Sequence, residues 1–178
     1  AIGLAKRALG DTNMYAVGYA TSQAHGCSYC QVHSAATGGK DSLDAVKQLP
    51  LTKTGRADAD NPFGPLEIAI ADLAAEASRN QPDPILVPTL IHKIQVLCST
   101  PEQARAYLVG VEMMVSAFGF LNVFNDLMGI EIEGDWAQQA REHTGITAGR
   151  HGSSRQNPNN LDYDLPKGGP SLAGMLAQ

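Results

Sequence analysis

The chain has 178 residues, 43% of them hydrophobic, which suffices for a single domain with a sizeable core. Its thirteen Lys and Arg are scattered among eighteen acids for a net charge of −5, leaving no basic footprint for nucleic acid. No apolar run approaches bilayer-spanning length and no leader pattern follows Ala1, so a soluble, cytoplasmic protein with no membrane partner is expected.

Helical signals dominate from the start of the chain. Residues 1–9, rich in Ala and Leu, read as a helix that stops at Gly10, and Asp11 or Thr12 can cap a second helix to about His25. Gly26 interrupts, and a helix from Cys27 is expected to close at the Gly38–Gly39 pair. Asp41–Leu49 reads as a short helical turn, and residues 50–64, lacking apolar periodicity, as a surface loop.

Pro65 suits the first turn of a helix to about Arg79. After the break at Gln81–Pro84, Val87, Leu90, Ile91, Ile94 and Leu97 form an apolar stripe at helical spacing. Thr100-Pro101-Glu102-Gln103 reads as a capping box in which the Gln side chain reaches back to the cap residue. The long helix that follows carries Ala104, Tyr107, Leu108, Val111, Met114, Val115, Phe118 and Leu121 on one face down to Gly129. Residues 145–178 are rich in Gly, Pro, Asn and Ser and read as an irregular tail. The expected architecture is therefore all-α: a helical domain over 1–144 and a tail over 145–178.

Three cysteines make an odd number, and two stand three apart, which points to a local redox or metal pair rather than a framework of bridges. On a helix Cys27 and Cys30 share a face near the first turn, where unsatisfied N–H groups and the helix dipole favour thiolate. His33 shares a face with Cys30 but lies about 120° around the helix from Cys27. A neutral imidazole there can take the proton of Cys30 and return it to a leaving alkoxide or thiolate, which makes Cys30 the expected attacking sulfur. Cys27 then condenses with the Cys30 sulfenic acid to a disulfide, and an external dithiol or protein reductant resets it.

Other readings compete with this one. Two cysteines at this spacing can be small buried hydrophobes. Zinc is the sharper rival, since His25, Cys27, Cys30 and His33 lie within nine residues, although four ligands along one stretch poorly enclose a tetrahedral ion. Covalent haem would need His directly after the second Cys, where Gln31 stands. The expected site therefore has no metal and no cofactor.

Around the cluster, His25 reads as a solvated turn residue beyond the preceding helix, of interest only as an outer neighbour of the thiols. Tyr15, Tyr19 and Ser22 recur at three-or-four spacing and could turn hydroxyls toward the sulfurs, or pack. Asn122, Asn125 and Asp126 interrupt the apolar face of the long helix and read equally as a solvated terminus or a polar pocket wall. His92, His143 and His151 read as surface histidines.

Two segments, Ala24-His-Gly-Cys-Ser-Tyr-Cys-Gln-Val-His-Ser34 and Phe118-Gly-Phe-Leu-Asn-Val-Phe-Asn-Asp126 with Ile130-Glu-Ile-Glu133, resemble the carboxymuconolactone decarboxylase superfamily in its AhpD-like alkylhydroperoxidase branch. The resemblance spans roughly residues 11–136. It implies an all-helical fold, homo-oligomers such as trimers or hexamers, and reduction of hydroperoxides. Cys30 would be the peroxide-attacking cysteine, Cys27 the resolving one and His33 the proton relay. The chain departs from the pattern in placing His three rather than four residues after the second cysteine, and in carrying Tyr15 where the family has a relay glutamate. The expected activity is a thiol-dependent peroxidase. The alternative is a non-catalytic redox sensor or thiol–disulfide relay using the same dithiol.

Overall fold

The computed structural model describes residues 2–37 and 63–128. These are α-helical with no strand among them, and the all-α expectation holds for that part of the chain. The expected turn at 41–49, most of the 50–64 loop and the 145–178 tail lie outside the described residues, as do His143 and His151.

Helix α1 runs Ile2–His25 and bends at Gly10, whose φ of 75° lies in the left-handed region that glycine reaches without a Cβ penalty. Helix α2 spans Ser28–Thr37 and α3 Pro65–Ala77, with Pro65 in the first turn where its missing N–H costs nothing. Helix α4 covers Leu86–Leu97 and α5 Pro101–Met128. Two short connections fix the order of α3, α4 and α5. In the first, Asp83 Oδ1 accepts the N–H groups of Ile85 and Leu86 at 2.9 and 3.1 Å, covering donors that α4 leaves open at its start. In the second, Thr100 Oγ1 accepts the Gln103 N–H at 3.1 Å. The Gln103 side chain reaches one residue further back than the capping-box expectation, accepting from Ser99 N–H at 2.9 Å.

The core forms where α1 meets α3 and α5 and where α3 meets α4. Ile68 and Ile70 of α3, Ile94 of α4, Met114 of α5 and Val17 of α1 are its largest fully buried side chains. Truncating any of the three isoleucines or Met114 to Ala would cost roughly 2–5 kcal/mol. Of the expected α4 stripe, Leu90 and Ile94 are buried, whereas Leu97 is exposed. On α5, Ala104, Val111 and Met114 are buried.

One expectation from the sequence is corrected. The stretch Pro101–Asn125 of α5 is long and apolar enough to cross a bilayer by length and composition, because Glu112 is the single charge between Tyr107 and Phe124. Here it lies along α1 and contributes to the core, while Val109, Phe120, Val123 and Phe124 are exposed. Phe120 and Phe124 stack on each other with ring centroids 5.9 Å apart.

Candidate functional site: a dithiol at a helix junction

The junction from α1 to α2 positions the first sulfur. His25 ends α1, and Gly26 turns the chain with φ 74°. Gly26 N–H donates to the Gln23 carbonyl and Cys27 N–H to the Ser22 carbonyl, both at 3.0 Å, which is the two-bond pattern of a Schellman close. Cys27 thus stands two residues past the end of one helix and immediately before the next. There its sulfur accepts the backbone N–H of Cys30 at 3.3 Å and its carbonyl accepts that of Gln31 at 3.0 Å. This is the bonding of an N-cap residue, with sulfur in place of the usual oxygen.

Cys30 follows in the first turn of α2. The two cysteines approach to 2.9 Å with no bond between them, and they are only 1% and 4% exposed. A donor from the far end of the fold reaches the second sulfur: the Asn125 side-chain amide donates to Cys30 Sγ at 3.1 Å. Asn125 is 9% exposed and Asn122, one turn earlier on α5, is 1% exposed. Burial of both side chains sets aside the solvated-terminus reading for this pair. Asp126 is also within α5, but its side chain lies outside the described atoms.

His33 is half-buried on the second turn of α2. Its Nδ1 lies 2.9 Å from the Tyr29 carbonyl, and because a carbonyl can only accept, Nδ1 carries the proton. The ring also stacks on Tyr29, with centroids 4.0 Å apart and planes 28° from parallel. In the neutral ring, Nε2 is therefore left as the basic nitrogen.

His25 is not the solvated turn residue expected. Its Nδ1 accepts from the Asn122 amide at 2.7 Å, and a ring N–H donates to the Ser78 backbone carbonyl beyond α3. Burial pushes its imidazole below the ordinary range, partly opposed by the bond to Ser78. It is a neutral tie between the ends of three helices, two residues from Cys27.

Tyr15 packs against Phe63, with centroids 6.3 Å apart, and Tyr19 is buried in the core; burial raises both phenols above their usual range. Ser22 Oγ donates to the Gly18 carbonyl of its own helix at 2.7 Å. His92 is exposed on α4.

Sequence reasoning missed a further set of groups. Among the described residues, Thr21 Oγ1 on α1, Gln31 Nε2 and Ser34 Oγ on α2, and Asn122 Oδ1 on α5 are buried polar atoms without a hydrogen-bond partner. They lie on the three helices that build the dithiol site, and each such group costs about 1–3 kcal/mol when left unpaired. A hydrogen-bonding small molecule or water would recover part of that cost. Close packing brings these helices together at Gly18, where an added Cβ would stand 2.9 Å from Ser34 Oγ and 3.0 Å from the Phe118 ring. The bare glycine was the available signal, although spacing alone does not say which glycine meets another helix. No group of three or more His, Cys, Asp or Glu side chains placed to hold a metal ion is found among the described residues.

A scan against protein-family models gives no match, and searches of curated proteins and of solved structures give none either.

Proposed function

We propose that the protein is a thiol-dependent peroxidase that reduces hydroperoxides through the Cys27–Cys30 dithiol. The observation that carries the reading is the pair itself: two thiols within reach of each other at a helix start, each sulfur accepting an N–H. The resemblance to AhpD-like alkylhydroperoxidases supports the same chemistry.

In the proposed cycle the Cys30 thiol passes its proton to His33, and the thiolate attacks the outer oxygen of ROOH. The S–O bond forms as the O–O bond breaks, and the departing RO⁻ takes the proton back as ROH. The Cys27 thiol then displaces the sulfenic oxygen as water, forming the disulfide, and an external dithiol returns both electrons. Assembly into homo-oligomers, which the resemblance implies, would cover the exposed Phe120, Val123 and Phe124 face.

A second reading has its own observation. Cys27 sulfur caps α2, so oxidation to a disulfide replaces a helix cap and would alter the helix start, as a non-catalytic redox sensor or relay requires. Single-turnover oxidation of the prereduced protein by an organic hydroperoxide, followed by mass, separates the two. Fast disulfide formation is expected in the wild type, and a sulfenic acid trapped on Cys30 in Cys27→Ser. Slow oxidation spread over all three cysteines would leave the sensor reading in its place, and full activity in Cys30→Ser would remove Cys30 as the attacking sulfur.

A further inference from the structure

We propose that Asn125 is the residue that holds negative charge on the Cys30 sulfur and so makes that sulfur, rather than Cys27, the nucleophile. The inference rests on the dithiol reading of the site and assigns a role to a residue 95 positions away in sequence.

The two sulfurs receive their N–H groups from different sources. Cys27 takes the backbone N–H of Cys30, a bond made within one helical turn that no side-chain substitution removes. Cys30 takes a side-chain amide from α5 at 3.1 Å. An amide NH₂ can only donate. Toward a neutral thiol the bond is weak, because sulfur is a poor acceptor, whereas toward a thiolate it is charge-assisted and about twice as strong as a neutral bond. The contact therefore favours the ionised sulfur. Its effect is largest where water is excluded, and Cys30 and Asn125 are only 4% and 9% exposed.

The donor is also held in place. Asn122, on the same face one turn earlier, is bonded to His25, and His25 in turn to the Ser78 carbonyl. The end of α5 is thereby tied to the ends of α1 and α3, and the Asn125 amide meets the sulfur without first having to be ordered. Once a disulfide forms, the sulfur is neutral and accepts poorly, so the contact acts on the reduced state.

The test is a direct titration of one sulfur. In a Cys27→Ser, Cys98→Ser background, the rate of Cys30 alkylation by iodoacetamide is followed against pH, with and without Asn125→Ala, with folding checked by circular dichroism. Removing the amide is expected to move the inflection upward by about one pH unit, a roughly tenfold loss of thiolate below it. In a Cys30→Ser, Cys98→Ser background the same substitution should leave the Cys27 inflection in place. Should Asn125→Ala fail to fold, Asn125→Asp keeps the shape while replacing the donor by an anion, and the Cys30 inflection should rise further still. An unmoved Cys30 inflection, or an equal shift at Cys27, overturns the assignment. No peroxide enters this measurement. A protein that shows the shift but consumes no hydroperoxide therefore refutes the peroxidase reading alone, and one that turns over hydroperoxide with no shift refutes the role of Asn125 alone.

Discussion

His33 carries two restraints, Nδ1–H being committed to the Tyr29 carbonyl and one ring face to the Tyr29 ring, and the proposed cycle assigns the proton to Nε2. A substitution that keeps the stack and removes the base separates these roles. His33→Phe should fold with little loss of stability yet react with hydroperoxide roughly a hundredfold more slowly near neutral pH. The deficit should shrink as pH rises and solvent alone ionises Cys30. Single-turnover thiol loss measured across pH checks this, and equal rates at neutral pH would remove His33 from the proton path. The contrast with His25 is instructive. Both histidines flank the cysteines within nine residues, and spacing does not reveal that one ring is tied to Asn122 and Ser78 while the other keeps a basic nitrogen. The difference is made by α3 and α5, far along the chain.

At the scale of elements, the turn from α3 to α4 depends on one buried carboxylate. Glu76 is nearly fully buried, pairs with Arg79 at 3.0 Å and accepts the Asp83 N–H at 2.8 Å. Asp83 in turn caps α4, and Ser78 of the same turn holds His25, so the carboxylate supports the frame of the site. Glu76→Ala is expected to cost about 2–4 kcal/mol, since it removes a buried acceptor of both the Asp83 N–H and the Arg79 guanidinium. Urea unfolding measures the loss, and a change below about 0.5 kcal/mol would show that the turn holds without it. None of this was legible, because an acid in the last turn of an amphipathic helix reads as solvated. The helices themselves were legible wherever caps and glycines mark them, as at Gly10, Gly26, Pro65 and Thr100. So were the thiols, because their spacing is local. Asn122 and Asn125 read two ways from sequence, and only the packing of α5 along α1 shows them to be buried rather than solvated. The unpartnered Thr21, Gln31 and Ser34 gave no signal, since polarity in a helix is ordinarily taken for exposure.

For the molecule as a whole, two half-buried titrating groups set opposite demands on acidity. His25 has its imidazole pushed down by burial, so below the ordinary value of 6.5 the unfolded chain takes up a proton that the folded chain refuses. Its contribution to stability is complete above 6.5 and is lost as pH falls through the lowered folded value. Asp72, on α3 with Lys93 of α4 nearby, is shifted the other way. Burial raises its carboxyl from 3.8 to about 6 against the opposing charge of Lys93. The folded chain there holds a proton that the unfolded chain has released, so the Asp72 contribution is complete below 3.8 and is lost as pH rises through about 6. Between these limits the two slopes oppose each other, and the share of the wild-type pH dependence due to this pair should be shallow. Asp72→Asn removes a desolvated charge, so it should raise the melting temperature at pH above 7 and leave a profile that falls more steeply on acidification. His25→Gln should lower stability everywhere by breaking the tie to Asn122, yet leave a profile that declines as pH rises toward 7. Thermal unfolding of the three proteins from pH 4 to 8 reads both tilts at once. Parallel curves for wild type and the two variants would mean that neither group titrates differently in the folded and unfolded chain.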